Sequence, residues 1–155
     1  MKSLIVYYSR KGRTAQIARE WAHRIGSSRL EIIPMAYRGT FKEYLQYLWC
    51  TLTRKEMELD LYNVDFGKYE RIILMVPVIC GMMSAPMRSF VKEEAGNLKN
   101  VEYVIVHKGF RACQPKLVKW LDKTLKVQHV ACSSVHQSGG KNYRIRHIDG
   151  DSILK

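Results

Sequence analysis

Acidic residues are scarce in this chain: 14 Asp and Glu stand against 26 Lys and Arg, for a formal charge of +12. The imbalance excludes no fold. It raises the odds of an anionic partner (nucleic acid, an acidic protein or a membrane surface), and a merely solvated basic surface fits it equally well. Cysteine is also sparse. The four, Cys50, Cys80, Cys113 and Cys132, are scattered, with no Cys-x-x-Cys pair. That argues against a zinc site and a disulfide framework. Each reads as a small buried apolar residue, with Cys80 the candidate exception. No apolar run approaches the roughly 20 residues that span a bilayer. The start, Met1 to Ser3 followed by Leu4 to Tyr8, superficially resembles a signal peptide. Its apolar run is too short, and polar Ser9 to Arg13 follow at once. It reads as a first strand, which places the protein in the cytoplasm. Repeats, low-complexity stretches and recognised nucleic-acid motifs are missing, and no general acid, metal set or nucleophile stands out.

What is present is alternation. Within 155 residues, the length of one domain, five β-rich runs appear: Leu4–Tyr8, Leu30–Ile33, Arg71–Val76, Val101–Val106 and Val127–Cys132. Between them lie helix patterns: Thr14, as a cap, to Gly26; Phe41 to Leu52; Ser84 to Gly96; and Pro115 to Leu125. Pro77 is expected to close the third strand. This rhythm predicts an α/β domain over residues 1–135, a five-stranded parallel sheet with helices on both faces. Residues 136–155 read as a tail of the same domain, either a hairpin turning at Asp149-Gly150 between Tyr143–Ile148 and Ser152–Leu154, or disordered.

In such a sheet ligands sit beyond the carboxyl ends of the strands, where strand order reverses. The loops Ser9–Thr14, Pro77–Ser84 and His107–Cys113 converge there. The first has the composition of an anion cradle. Ser9 and Thr14 supply hydroxyls, Gly12 allows close backbone approach, a helix N-terminus follows, and Arg10, Lys11 and Arg13 add cations. His107 reads as a strand-end histidine, Met82, Met83 and Met87 as core, and Arg88 with Lys92 as a solvated helix face.

Two segments carry a family resemblance. Tyr7-Tyr8-Ser9-Arg10-Lys11-Gly12-Arg13-Thr14 resembles the phosphate loop of the flavodoxin family, commonly Tyr-Ser-x-Thr-Gly-Asn-Thr. Val76-Pro77-Val78-Ile79-Cys80-Gly81-Met82-Met83-Ser84-Ala85-Pro86 resembles the family segment that borders the flavin ring. Gly39 to Leu59 is similar to an aromatic helix insertion found in many bacterial flavodoxin-like proteins. The resemblance spans roughly residues 1–132 and implies a flavodoxin-like three-layer sandwich with strand order 2-1-3-4-5. It implies flavin mononucleotide (FMN) as cofactor, held by Ser9, Arg10, Lys11, Gly12, Arg13 and Thr14 at the phosphate. Pro77, Val78, Ile79, Cys80 and Gly81 would lie at the ring, with Lys108, Gly109 and Phe110 from the third loop. A backbone carbonyl at Gly81 or its neighbour is implied as the partner of the reduced flavin N5–H. Lys11 and Arg13 depart from the usual Thr and Asn. Ile79 and Cys80 stand where an aromatic usually flanks the ring; Phe110 reads either as the substitute or as an anchor under its own loop.

Three functions are consistent with these observations. The first is an FMN-binding electron-transfer protein or small flavin-dependent reductase of quinone type, working with an acidic redox partner. The second is a flavodoxin-like domain without flavin, acting as a binding or regulatory module. The third is a basic nucleic-acid-binding protein, suggested by clusters such as Tyr143-Arg144-Ile145-Arg146-His147.

Overall fold

Successive residues of Leu4–Tyr8 and Ile72–Val76 are apolar without a break, so both faces of the sheet must be covered. The computed structural model, which describes residues 1–35, 40–109, 115–138 and 142–154, realises this. Its elements are β1 (Ser3–Tyr7), α1 (Arg13–Ile25), β2 (Ser28–Glu31), α2 (Phe41–Leu52), β3 (Arg71–Ile79), β4 (Met82–Met83), α3 (Ala85–Glu93), β5 (Val101–His107), α4 (Pro115–Leu125), β6 (Ala131–Gln137) and β7 (Tyr143–Gly150). The sheet order is β2-β1-β3-β5-β6-β7, with β4 paired to β3. All pairings from β2 across to β6 are parallel. With β4 and β7 set aside, the parallel strands follow the order 2-1-3-4-5, that of a flavodoxin-like sheet.

Alternation along each strand sorts the core into two halves. Leu4, Val6, Ile72, Leu74 and Val76 face one side, where Tyr47 of α2, Phe90 and Val91 of α3, and Leu121 and Leu125 of α4 cover them. Ile5, Tyr7, Ile73 and Met75 face the other, packed by Ile17, Ala18 and Trp21 of α1 and by Leu154 near the chain end. Each such fully buried side chain contributes about 1.5–3 kcal/mol of transfer free energy. Among the described residues, no helix is long and apolar enough to cross a membrane.

The sheet departs from the five-strand expectation in three ways. First, β3 runs through Pro77 to Ile79 rather than stopping before it. β1 has already ended at Tyr7 opposite Met75, so the missing N–H of Pro77 falls at a strand edge, where proline is tolerated. Second, the last parallel strand begins at Ala131, not Val127. Its Ser133 and Ser134 look like loop residues but are buried, and Ser134 Oγ lies 2.6 Å from His107 Nε2. Third, Tyr143–Gly150 pairs antiparallel with β6, not with Ser152–Leu154. Gly150 lies within β7 opposite Ala131 at φ 74°, so Asp149-Gly150 does not form the expected hairpin turn. The final residues are tied down instead. The fully buried Glu102 pairs with Arg71 Nη1 at 3.2 Å and accepts from the Ser152 hydroxyl and the Ile153 N–H.

α2 begins at a capping box: Glu43 N–H donates to Thr40 Oγ1, and Glu43 Oε2 accepts from Thr40 N–H. Only Tyr47, Cys50 and Thr51 of this helix are buried. Phe41, Leu45, Trp49 and Leu52 of its expected apolar stripe are exposed.

Candidate functional site

The chain leaves β1 for β2 on one side and returns to β3 on the other, so the strand order reverses between β1 and β3. Ligands gather at such a point. The turn after β1 brings the chain into α1 through Gly12, which caps the helix at φ 80°, a left-handed conformation that glycine adopts without strain. Thr14, expected as the cap, is instead the second helical residue and is buried. No side chain caps α1, and no acid stands in its first turn. The first N–H groups of a helix have no intrahelical acceptors, and the dipole makes that end positive. Ser9 Oγ, just before them, is buried with no hydrogen-bond partner among the described residues.

The second wall is the end of β3. Val78 pairs with Met83 and Ile79 with Met82. The two residues between, Cys80 and Gly81, have φ values of 51° and 75°. Positive φ at both central positions is the signature of a type I′ hairpin turn. The segment Val78–Met83 is therefore a short hairpin, and Cys80 is exposed while Cys50 and Cys132 are buried. Cys113 lies outside the described residues.

The third wall follows β5. His107 Nδ1 donates to Gly109 O at 2.6 Å and Nε2 contacts Ser134 Oγ. Both ring nitrogens are thus engaged in holding the loop, as suits a strand-end histidine. His136 Nε2 donates to Lys108 O at 2.9 Å. Partial loss of hydration, followed by the like charges of Arg13, Lys11 and Arg10, lowers the Lys108 pKa below the ordinary lysine value.

These walls enclose a cavity of about 290 Å³, near the lower end of small-molecule sites, roughly 300–1,000 Å³. Of the residues expected from the sequence, Ser9, Arg10, Lys11, Arg13, Thr14, Pro77, Val78, Ile79, Cys80, Lys108 and Gly109 line it. Gly12 and Gly81 do not. Gly12 shapes the helix start, and a Cβ there meets no protein atom within 4 Å; Gly81 faces a different cavity. Phe110 lies outside the described residues.

A fourth wall escaped the sequence reading. Tyr44, Tyr47 and Leu48 of α2 line the same cavity. Tyr47 packs on Tyr8 with ring centres 5.7 Å apart, and the Arg10 guanidinium lies over Tyr44. Their three- and four-residue spacing was visible but reads equally well as core packing. Arg88 needs correction too: it is 7% exposed, not solvated. Its Nη2 donates to Met83 O of β4 at 3.2 Å, and Leu117 and Trp120 of α4 join it in lining the cavity that Gly81 faces.

Cations, a free serine hydroxyl and uncapped helix N–H groups fit a phosphate; tyrosine, leucine and Pro77–Cys80 fit a flat ring. No protein-family model and no curated protein sequence matches the chain. Solved structures do. One is a flavoprotein in complex with FMN from Lactobacillus acidophilus, 23% identical over 86% of this chain and 91% of its own, TM-score 0.67. The apo-form of the flavoprotein from Lactobacillus acidophilus gives 20% identity, 88% and 93% coverage and TM-score 0.67. A provisionally assigned flavoprotein from Bacteroides eggerthii gives 15% identity, 83% and 85% coverage and TM-score 0.68. These likenesses establish the flavodoxin-like fold.

Proposed function

We propose that the chain binds FMN in the cavity at the β1/β3 reversal and serves as an electron-transfer protein or small flavin-dependent reductase. One observation carries the reading: Arg10, Lys11, Arg13 and Lys108 line one cavity with no carboxylate among its described lining residues. Beside them are the uncapped α1 terminus and the unpartnered Ser9 Oγ. Such a concentration of positive potential is self-repelling until an anion enters. The FMN bound by the similar Lactobacillus acidophilus flavoprotein supports the identity of that anion.

In this reading Ser9, the α1 amides and the four cations hold the phosphate. Each charge-assisted bond contributes about 1.5–3 kcal/mol. Tyr44, Tyr47, Val78 and Ile79 cover the ring and exclude water. When bound, the flavin supplies one- or two-electron chemistry; the protein supplies orientation and tuning. A surface of net charge +12 suits an acidic redox partner, with an association rate that falls as salt rises.

Titration with FMN and, separately, with riboflavin, which lacks the phosphate, tests the proposal. Tight uptake of FMN and at least about tenfold weaker uptake of riboflavin, one charge-assisted contact or more, is the expected result. A protein that stays colourless in excess FMN, or binds both equally, would overturn it.

A further inference from the structure

On the far side of the Cys80–Gly81 turn lies a second cavity, of about 440 Å³. Four cations line it: Arg54 just past α2, Arg88 and Lys92 from α3, and Lys116 from α4. No carboxylate lies among its described lining residues. Lys92 is neutralised by Glu56 at 2.5 Å; Arg54 and Lys116 form no ion pair among the described residues.

Arg88 is the telling member. It is 93% buried by its 7% exposure. Its Nη2 donates to Met83 O at 3.2 Å, yet Nη1 is buried without a partner among the described residues. Burial lowers the pKa of this guanidinium, the nearby Arg54 lowers it further, and Glu56 opposes them. A buried charge left half-satisfied is among the most destabilising features a fold can carry, and nothing in the described residues offsets it. The rest of the lining is apolar, chiefly Met82, Leu117 and the half-buried Trp120.

We infer that this second cavity is a binding site for a small organic anion, one that brings a carboxylate or phosphate to Arg88 Nη1 and lays an apolar body along Trp120. A guanidinium fork matches the planar oxygens of either group, and an indole face suits a flat hydrocarbon. The volume is that of a small-molecule site rather than of a single ion. The inference does not depend on what fills the first cavity.

Phenyl phosphate and benzoate are suitable probes, with inorganic phosphate and benzyl alcohol as the charge-only and ring-only controls. Titration of the purified chain, followed by calorimetry and by the indole N–H signals in NMR, is expected to show at least one aromatic anion binding. Both controls should bind about tenfold weaker or less, and the Trp120 signal, identified with Trp120→Phe, should move. Arg54→Gln with Lys116→Gln, both on exposed positions, should weaken binding about tenfold. Arg88→Gln should weaken it at least as much where that variant folds. Two results would overturn the inference: no binding of either aromatic anion, or binding that survives Arg54→Gln with Lys116→Gln but is lost in Lys11→Ala with Arg13→Ala. The latter would put the probe in the first cavity.

Discussion

The guanidinium of Arg10 lies over the ring of Tyr44, its central carbon 4.3 Å from the ring centre. One residue comes from the phosphate loop and the other from α2, so the contact joins the two walls between which a flavin would sit. Tyr44 is half-buried, whereas Tyr8 and Tyr47, which line the same cavity, are buried. Replacing Tyr44 by Ala is expected to weaken FMN binding about tenfold, since an aromatic contact contributes roughly 0.5–1.5 kcal/mol beyond area burial. Tyr44→Phe should bind as the parent does. Quenching of FMN fluorescence measures both.

Lys11→Ala and Arg13→Ala remove charge from the cradle without touching the apolar slot. Each should weaken FMN binding by about ten- to a hundredfold, as expected for about 1.5–3 kcal/mol, and leave riboflavin binding unchanged. Equal losses for the two ligands would show that the variants act on the fold. Gly12→Ala behaves differently. Its Cβ meets open space, but φ 80° is strained for any L side chain, by about 1 kcal/mol. A lower melting temperature should accompany weaker FMN binding there.

Gly150→Ala tests the closure of the sheet. An added Cβ would lie 2.1 Å from Val130 O and 2.6 Å from Ala131 Cα. Backbone atoms cannot step aside as a flexible side chain can, so β7 must detach locally. A loss of about 1–3 kcal/mol or more in denaturant unfolding is expected.

The sequence showed the architecture more clearly than the site. Continuous apolar runs such as Arg71–Val76 specified a sheet covered on both faces, and the loops around Ser9 and Pro77 followed from strand-helix alternation. β6 was misplaced because its serines are satisfied by partners distant in the chain, notably His107, and single-residue polarity carries no sign of that. Likewise, the burial of Arg88 comes from elements far apart in sequence, while its own helix turn, Arg88 to Lys92, looks like any solvated face. Tyr44 was legible as an aromatic on a helix. Its orientation toward the cavity was not, because that depends on how α2 packs against α3 and β4.

His129 carries a pH dependence. Burial alone would lower its pKa, but hydrogen bonds to Asp122 at 2.8 Å and to Asp149 at 3.1 Å prevail, so the value rises above 6.5. Asp122 is itself held by the Tyr103 hydroxyl at 2.9 Å. A raised folded-state pKa means that the stabilisation is complete below the unfolded value of 6.5 and is lost as pH climbs through the folded one. Melting curves between about pH 5.5 and 8.5 should show His129→Gln well below the parent at the acid end, with the gap narrowing at the alkaline end. A constant gap would show that the imidazolium contributes nothing.

Glu102→Ala should be among the most destabilising single changes. It leaves Arg71, 15% exposed, with only the Asp151 carbonyl among its recorded partners, and loosens the segment from Ser152 to Leu154, for a loss of up to about 3–5 kcal/mol. Proteolysis at the chain end, together with denaturant unfolding, separates release of that segment from global unfolding.

The two outer strands of the sheet, β2 and β7, place arginine along their open flanks: Arg29 on one, Arg144 and Arg146 on the other, all exposed. An unpaired strand flank is a template for polymerisation, and charge on it is a recognised safeguard. Arginine stays protonated at any pH a cell reaches, so the safeguard cannot be titrated away. It can be screened: at about 0.1 M salt the field fades over about 10 Å, and concentrated brine should be the condition under which copies of this chain begin to join edge to edge.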